Sequence, residues 1–245
     1  MKLKCLGSSS KGNSYLLIGE HRTLLLEAGV SLGAVKIELD FKISNIDGCI
    51  ITHEHLDHAG KISEYLKAGI PCYSSPGTIE ATGIASHNFH PLFEKRKYKI
   101  GEFGVMPFPV IHDAKQPYGY LIHHPESGLI LFITDSKYSP YRFYGLNQVM
   151  IEANFSQDII DDATLSGGLH PAQRARIMNS HMSLENCIDL LKANDLKAVN
   201  NIVLLHGSDG NSNSREFKQT IENVIGKRVT VADRDMEINF NKGGF

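Results

Sequence analysis

Several features are scarce in this 245-residue sequence, and each absence excludes a class of protein. The four cysteines (Cys5, Cys49, Cys72 and Cys187) form no CxxC pair. Three of them lie in apolar runs, so we expect buried free thiols in a reducing compartment rather than a disulfide framework. No apolar run approaches the roughly 20 residues of a membrane span, and no signal-peptide core follows the N-terminus. The sequence therefore predicts a cytoplasmic protein without membrane association.

Strong charge and internal boundaries are lacking as well. The formal net charge is only −2, so the whole chain has no electrostatic preference for nucleic acid. No repeat, low-complexity linker or shift in composition marks a domain boundary. The hydrophobic fraction of 42% is ordinary for a globular protein. We therefore expect residues 1–245 to fold as a single domain, with two sheets and helices outside them.

Hydrophobic periodicity predicts a strand-rich chain in both halves. Strands are expected at 3–6, 15–18, 23–26, 47–51, 70–73, 103–111, 118–123, 129–134, 148–151, 202–205, 229–231 and 238–240. Helices are expected at 30–39, 61–67, 183–193 and 214–225. Pro76-Gly77 is expected to close the strand before it, and residues 78–100 are poorly periodic. Residues 155–182 are typical of a helical or irregular insertion with a break at Gly167-Gly168. His21, His123 and His124, in or beside hairpin turns, are expected at the surface.

The densest chemistry lies in His53-Glu54-His55-Leu56-Asp57-His58, which follows a buried strand. His53 and His55 are two residues apart and project to the same side if the extended geometry persists. A helix is expected to begin at Asp57 and His58. Imidazole and carboxylate ligands suit zinc, manganese or iron. One metal ion does not easily accept four ligands crowded this closely, whereas a pair of ions does.

Other apolar strands also end in a residue that can bind a metal ion or move a proton. These strand-end residues are Glu27, His53, His112 with Asp113, Asp135, Glu152 and His206. Each is weak evidence alone. Together they indicate that the strand ends share one rim, where polar groups gather without being buried in the core.

The order His-x-His-x-Asp-His, a lone His, an Asp after a buried strand and a late His resembles the metallo-β-lactamase superfamily. The resemblance covers nearly the whole chain and implies an α/β fold, the four-layer αββα sandwich, with two divalent metal ions (Zn or Mn) at one edge. It implies that His53, His55 and His112 hold the first ion, and that Asp57, His58 and His206 hold the second. Asp135 would bridge them, and Asp57 would also be catalytic. The superfamily usually has Asp where Glu27 stands, supporting the metal loop; the longer side chain leaves that role open.

Two further stretches favour a phosphodiester substrate. Residues 152–155 (Glu-Ala-Asn-Phe) and 180–183 (Ser-His-Met-Ser) resemble paired motifs of tRNase Z-like and related bacterial nucleases. In those proteins a histidine backed by a carboxylate protonates the departing oxygen, which here implies His181 oriented by Glu152. Phosphodiester cleavage needs such an acid because an alkoxide leaves poorly. The alternative is that His181 merely caps the helix that starts at Ser183.

The loop at 7–14, His112-Asp113-Ala114, the stretch 180–183 and His206-Gly207-Ser208 resemble a narrower subgroup. This compact subgroup occurs in bacteria and phages, and its bacterial members are regarded as 5′-to-3′ exonucleases. The loop could hold a phosphate through backbone amides and Lys11, which makes Ser9, Lys11 and Asn13 candidate substrate-binding residues. It could equally be a plain turn.

The sequence contains neither the large inserted cap domain of the β-CASP nucleases nor a tRNA-gripping basic arm. We therefore expect a dinuclear metal-dependent nuclease that acts on DNA or RNA ends rather than on tRNA. Acidic charge and the missing arm favour an alternative, a phosphodiesterase for cyclic or small nucleotides of the phage anti-immune type. A non-phosphate hydrolase such as a lactonase would leave Glu152 and His181 unexplained. A non-catalytic binding module and a homodimeric assembly also stay open.

Overall fold

Strands dominate the structure, which is a computed structural model. It describes residues 1–207 and 212–243. Ser208, the last residue of the predicted motif His206-Gly207-Ser208, lies outside the described residues. In chain order the strands are β1 (Lys2–Gly7), β2 (Ser14–Ile18), β3 (Thr23–Leu26), β4 (Ile46–Ile50), β5 (Cys72–Ser74), β6 (Phe89–Pro91), β7 (Tyr98–Ile100), β8 (Phe103–Pro109), β9 (Tyr118–His124), β10 (Gly128–Ile133), β11 (Leu146–Glu152), β12 (Asn201–Leu205), β13 (Val229–Val231) and β14 (Glu237–Asn239). They form two seven-stranded sheets, ordered β14-β1-β2-β3-β4-β5-β6 and β13-β12-β11-β10-β9-β8-β7.

Helices cover the outer faces of both sheets. They are α1 (Leu32–Glu38), α2 (Leu56–Ala59), α3 (Ile62–Lys67), α4 (Pro76–Thr82), α5 (Gln157–Leu165), α6 (Pro171–Ser180), α7 (Leu184–Lys192) and α8 (Ser214–Ile225), with a short 3-10 turn at Ile43–Asn45. Within the described residues, no helix is long and apolar enough to cross a membrane. The helix–sheet–sheet–helix order confirms the predicted fold class.

Side chains that alternate between the two faces of each strand form three apolar layers, one between the sheets and one outside each sheet. In β3, Leu24 and Leu26 belong to the interior between the sheets, while Leu25 packs with the helices outside the first sheet. In β11, Met150 points inward, while Val149 and Ile151 pack against α7 and α8. Successive side chains of a strand point to opposite faces, so a continuous apolar run is needed where both faces are covered.

Parallel strand pairing determines where the residues at the strand ends lie. In the first sheet β3, β4, β5 and β6 run parallel, and in the second sheet β10, β11, β12 and β13 do so. The carboxyl ends of parallel strands meet at one edge of a sheet. The residues that follow β3, β4, β10, β11 and β12 are therefore neighbours, as the strand-end pattern predicts.

Two local expectations, for Pro76-Gly77 and for His124, were wrong, and the stretch 78–100 was left without predicted elements. Pro76-Gly77 does not merely close β5: it opens α4, with proline at the first helical position and the Ser75 hydroxyl accepting from Thr78 N at 3.0 Å. The poorly periodic stretch 78–100 contains the short strands β6 and β7, which are too brief for alternation to reveal. His124 is buried, with 3% of its surface exposed, because Phe103 and the β9–β10 turn pack around it. His21 and His123 are exposed as expected.

The insertion at 155–182 is a helical hairpin. Helices α5 and α6 are separated by Gly167, whose φ of 77° lies in the left-handed region that glycine adopts readily. Phe155, Ile160, Leu169 and Ile177 form a small apolar cluster of their own. We refer to residues 156–180 as the α5–α6 hairpin.

Candidate metal centre

All of the predicted ligands lie together at the rim. His53 and His55 follow β4, and α2, which begins at Leu56, carries Asp57 and His58 in its single turn. His112 follows β8, Asp135 follows β10 and His206 follows β12. The predicted ligands form two groups of donor atoms, and within each group all atoms lie within 4.8 Å of one another; a third such group joins Asp135 and His206 to Glu152 and His181. His53 and His55 are two residues apart and point to the first group. The turn of α2 points Asp57 and His58 to the second group beside it.

The first group is a triad of imidazoles formed by His53, His55 and His112. His55 Nδ1 lies 3.1 Å from His53 Nε2 and 3.2 Å from His112 Nε2. His112 Nδ1 donates to the carbonyl oxygen of Ser180 at 2.7 Å, which leaves its Nε2 with a free lone pair. Burial and the neighbouring His58 hold the pKa of His53 well below 6.5. His53 therefore presents a neutral ring nitrogen, the form that binds metal ions.

The second group is a triad of Asp57, His58 and His206. Asp57 Oδ2 lies 3.1 Å from His206 Nε2 and 3.3 Å from His58 Nε2. Burial alone would raise the pKa of Asp57, but the hydrogen bonds from His206 and His58 lower it, so the carboxyl group is ionised. This triad therefore mixes one anionic oxygen with two nitrogens.

Asp135 lies between the two triads. Its Oδ2 is 3.2 Å from His58 Nε2, 3.7 Å from His112 Nε2 and 3.8 Å from His53 Nε2. Thr134 Oγ1 donates to the other oxygen at 2.8 Å. The φ angle of Asp135 is 45°, an uncommon value for a residue other than glycine. A backbone held in this conformation at a strand end aims one oxygen at both groups, as a bridging ligand requires.

The donor set fits a pair of divalent cations. In the first triad, His55 Nδ1 lies at hydrogen-bond distance from both His53 Nε2 and His112 Nε2, although a neutral imidazole nitrogen carries at most one proton. In the second group burial alone would lower the pKa of His206, but Asp135, Asp57 and Glu152 raise it to about 10. The carboxylates thus create a demand for positive charge, which divalent ions would meet. Mixed imidazole and carboxylate donors suit such ions.

Glu27 stands behind the metal loop. Its Oε2 accepts from the backbone N–H of Thr52 at 3.3 Å, and its Oε1 lies 3.5 Å from His58 Nδ1. Neither Oε1 nor His58 Nδ1 has a hydrogen-bond partner within the described residues, and both are fully buried. Glu27 also has a positive φ, 68°. The sequence left open whether the longer side chain of Glu27 can support the metal-binding loop as Asp would. In the structure its carboxylate lies beside Nδ1 of His58, while Nε2 of the same ring faces Asp57.

His181 and Glu152 form the predicted pair. Glu152 ends β11, is completely buried and accepts from His181 Nδ1 at 2.7 Å. The backbone N–H groups of Ser136 and Met182 each donate to its other oxygen at 3.1 Å. Burial alone would lower the pKa of His181, but the charge and hydrogen bond of Glu152 raise it above 6.5. With Nδ1 engaged, Nε2 of His181 is left for the cavity.

The capping alternative for His181 is wrong. Helix α7 is capped by Ser183, whose hydroxyl accepts from Asn186 N at 3.2 Å. The His181 ring instead stacks on His206, with ring centroids 5.6 Å apart and planes inclined by only 6°. His181 therefore packs against the predicted ligand His206.

The loop after β1 divides into two parts. Asn13 is buried, and its amide nitrogen lies 3.3 Å from Asp57 Oδ2 and 3.1 Å from His58 Nε2. Ser9 and Lys11 line a neighbouring depression with Lys61 and Arg234, whereas Ser10 lines the metal centre. Asn13 therefore contacts two of the predicted ligands, and a substrate-binding role for Ser9, Lys11 and Asn13 stays a prediction.

A cavity of about 360 Å³ opens onto the metal centre. We call it the metal cavity; its wall contains Ser10, His55, Asp57, Asp135, Asn154, Gln173, Arg176, Ile177, His181, His206 and Gly207. Three of these residues, Gln173, Arg176 and Ile177, come from α6 and were not singled out from the sequence. No motif marks them, because they reach the cavity only through the packing of the α5–α6 hairpin.

Comparison with known proteins agrees with this geometry. Residues 9–128 match the metallo-beta-lactamase superfamily. The exodeoxyribonuclease WalJ of Streptococcus pneumoniae is 27% identical over 256 residues, covering 98% of this chain and 92% of the relative. The exodeoxyribonuclease YycJ of Bacillus anthracis is 30% identical over 169 residues, covering 63% of each protein. The metallo-beta-lactamase fold protein YhfI from Bacillus subtilis has a TM-score of 0.76 at 17% identity, covering 97% of this chain and 98% of YhfI. Residues 9–128 therefore carry the metallo-beta-lactamase superfamily match that the metal-binding motifs predict, on a fold shared with YhfI.

Proposed function

We propose that this chain is a dinuclear metal-dependent phosphodiester hydrolase that removes nucleotides from a DNA end. One observation carries the proposal: members of both ligand triads, His55 from the first and Asp57 and His206 from the second, line the same cavity as His181, whose Nδ1 is held by Glu152. Hydrolysis of a phosphodiester needs a nucleophile on one side of phosphorus and a proton for the alkoxide that leaves on the other. DNA is the preferred substrate because the WalJ and YycJ relatives are named exodeoxyribonucleases.

The ions that fit the two triads are zinc or manganese. His53, His55 and His112 would hold one ion, Asp57, His58 and His206 the other, and Asp135 would contact both. A pair of divalent ions activates water at neutral pH and offsets negative charge on a phosphate. Asn13 and Glu27 act on this chain's own ligands, Asn13 by contacting Asp57 and Glu27 by lying behind His58. Such supporting residues fix the orientation of the ligand rings.

His181 is proposed to donate the proton that the leaving oxygen requires. Glu152 accepts from Nδ1 and so presents Nε2–H to the cavity. The Glu152 carboxylate is fixed in orientation, because the backbone N–H groups of Ser136 and Met182 donate to its Oε2. The fixed carboxylate thereby holds the imidazole in the orientation and tautomer that proton transfer demands.

A phosphodiesterase for cyclic or small nucleotides is the second candidate. The metal cavity, about 360 Å³, is of a size that accepts a small molecule. The net charge of −2 gives no general attraction for a long polyanion. These two observations favour small substrates over long strands.

A substrate panel distinguishes the candidates. The chain is loaded with Zn, Mn or Mg and offered DNA labelled at the 5′ or 3′ end, RNA, cyclic dinucleotides and a lactone. Release of labelled mononucleotides from linear DNA supports the proposal, and the label that appears first gives the polarity. Cleavage of cyclic nucleotides alone would favour the second candidate, and turnover of the lactone alone would exclude a phosphodiesterase.

We also propose a cytoplasmic location, which the four buried free thiols support. Whether the chain forms a homodimer stays a prediction, and light scattering of the purified protein tests it.

A further inference from the structure

The α5–α6 hairpin contributes three neighbouring residues of α6 to the lining of the metal cavity. Most other lining residues belong to strand ends or to the loops that follow them, whereas Gln173, Arg176 and Ile177 project from α6. The hairpin lies in the chain between Glu152 and His181, the two members of the proton-donating pair. Its position relative to the reacting groups is therefore constrained at both ends.

The hairpin holds its shape through contacts of its own. Ile160, Leu169 and Ile177 pack with Phe155 in a buried cluster. Arg174 on α6 donates to Asp161 on α5 through Nε at 3.1 Å and through a terminal nitrogen as well. These contacts join the two helices, so residues on the cavity side of α6 are presented from a defined support.

Arg176 differs from Arg174 in its partner and its surroundings. Its Nε donates to Asp113 Oδ2 at 2.8 Å, and 64% of its side chain is exposed. Its two terminal nitrogens have no hydrogen-bond partner in the part of the chain that the structure describes. In that same part, Arg176 is the only lysine or arginine that lines the metal cavity. Asp113, which orients the guanidinium, directly follows the ligand His112 along the chain.

We propose that Arg176 binds a non-bridging oxygen of the scissile phosphate, and that the α5–α6 hairpin thereby sets the substrate class of the site. A guanidinium held through Nε keeps terminal N–H groups that match the geometry of phosphate oxygens. The remaining polar wall offers carboxylates, imidazoles, amides and a hydroxyl, so Arg176 is the permanent cation that an entering phosphodiester meets. This inference rests on the proposed phosphodiesterase function.

The test compares Arg176→Ala and Arg176→Lys with the control Arg228→Ala. Arg228 is exposed and precedes β13, at the end of the second sheet opposite His206. Two substrates are used, linear DNA and bis-p-nitrophenyl phosphate, which contains a single phosphodiester. We expect Arg176→Ala to lower kcat/KM about 10- to 100-fold on both, the scale of lost charge-assisted hydrogen bonds. Arg176→Lys should recover part of the lost kcat/KM, because lysine keeps the positive charge but lacks the paired N–H groups of the guanidinium. Arg228→Ala should match the wild type.

Each other outcome overturns a defined claim. Unchanged activity of Arg176→Ala, in an enzyme that cleaves DNA, overturns the role of Arg176 and leaves the proposed function intact. A loss confined to DNA would place Arg176 at a flanking phosphate instead of the scissile one. Loss of bound metal in Arg176→Ala would show that the arginine supports His112 through Asp113, which also overturns the inference. A wild-type protein that cleaves no phosphodiester fails the proposed function itself.

Discussion

Replacing His181 by alanine removes the imidazole whose Nδ1 lies 2.7 Å from Glu152. General acid catalysis contributes about 10²- to 10⁴-fold, so kcat on linear DNA should fall by at least about 10²-fold. At about 1.36 kcal/mol per factor of ten, this corresponds to about 2.7 to 5.4 kcal/mol of transition-state stabilisation.

The fold and the metal content should survive this change. His181 directly follows α6 and belongs to neither triad, although it shares a third donor group with Asp135, Glu152 and His206. Glu152 keeps the donors Ser136 N and Met182 N, so its buried carboxylate is not left without partners. The lost charged hydrogen bond should cost about 1.5 to 3 kcal/mol of unfolding free energy.

Two substrates separate a proton donor from a structural residue. DNA releases an alkoxide, which needs a proton, whereas bis-p-nitrophenyl phosphate releases a stabilised phenolate that does not. We therefore expect the nitrophenyl ester to lose less than about tenfold in kcat while DNA loses about 10²-fold or more. His123→Ala, on the exposed surface of β9, is the matched control. Equal losses on both substrates, or metal missing from the purified variant, would refute the assignment.

Three further predictions concern the ligands and the core. His55→Ala and Asp57→Ala should each abolish activity and lose metal, the first from the imidazole triad and the second from the mixed triad, as measured by metal analysis after dialysis; full occupancy in either variant would contradict the ligand set. Glu27→Gln should weaken metal affinity about 10- to 100-fold, because His58 loses the carboxylate 3.5 Å from its Nδ1, and chelator titration measures this; unchanged affinity would make Glu27 a support for Thr52 alone. Phe132→Ala should destabilise the fold by about 3 to 5 kcal/mol in urea unfolding, because the ring is fully buried between the sheets, and a much smaller loss would show that the interior can collapse around the cavity.

Much of the fold was predictable because burial on two faces leaves a clear pattern. Leu24-Leu25-Leu26 and Val149-Met150-Ile151 are continuous apolar runs, and only strands covered on both sides require them. The structure shows these runs in β3 and β11. Pro76 was misjudged because proline is compatible both with the end of a strand and with the first turn of a helix. The Ser75 cap decides between them, and its hydroxyl also donates to the carbonyl oxygen of Gln116, far along the chain.

The candidate metal ligands were predictable for a related reason. Donors as close together as His53, His55, Asp57 and His58 are local in sequence, and Asp135 and His206 follow apolar runs that end at the same rim. Glu27 was recognised as a strand-end residue, but its contact with His58 depends on a positive φ and on the pairing of β3 with β4. Neither can be inferred from the residue type.

The sequence by itself predicted the αββα fold, which the structure confirms, and it predicted the candidate ligands and the His181–Glu152 pair, which the structure brings together at one rim. These predictions follow from the resemblance that the motifs carry, and alternation along the strands supports the two sheets. Only the tertiary structure decided which atoms meet: that Asp135 Oδ2 lies between the triads, that Asn13 contacts Asp57, and that Arg176 enters the cavity wall. These contacts join elements far apart in the chain. They depend on side-chain direction and helix packing, which residue order does not specify one contact at a time.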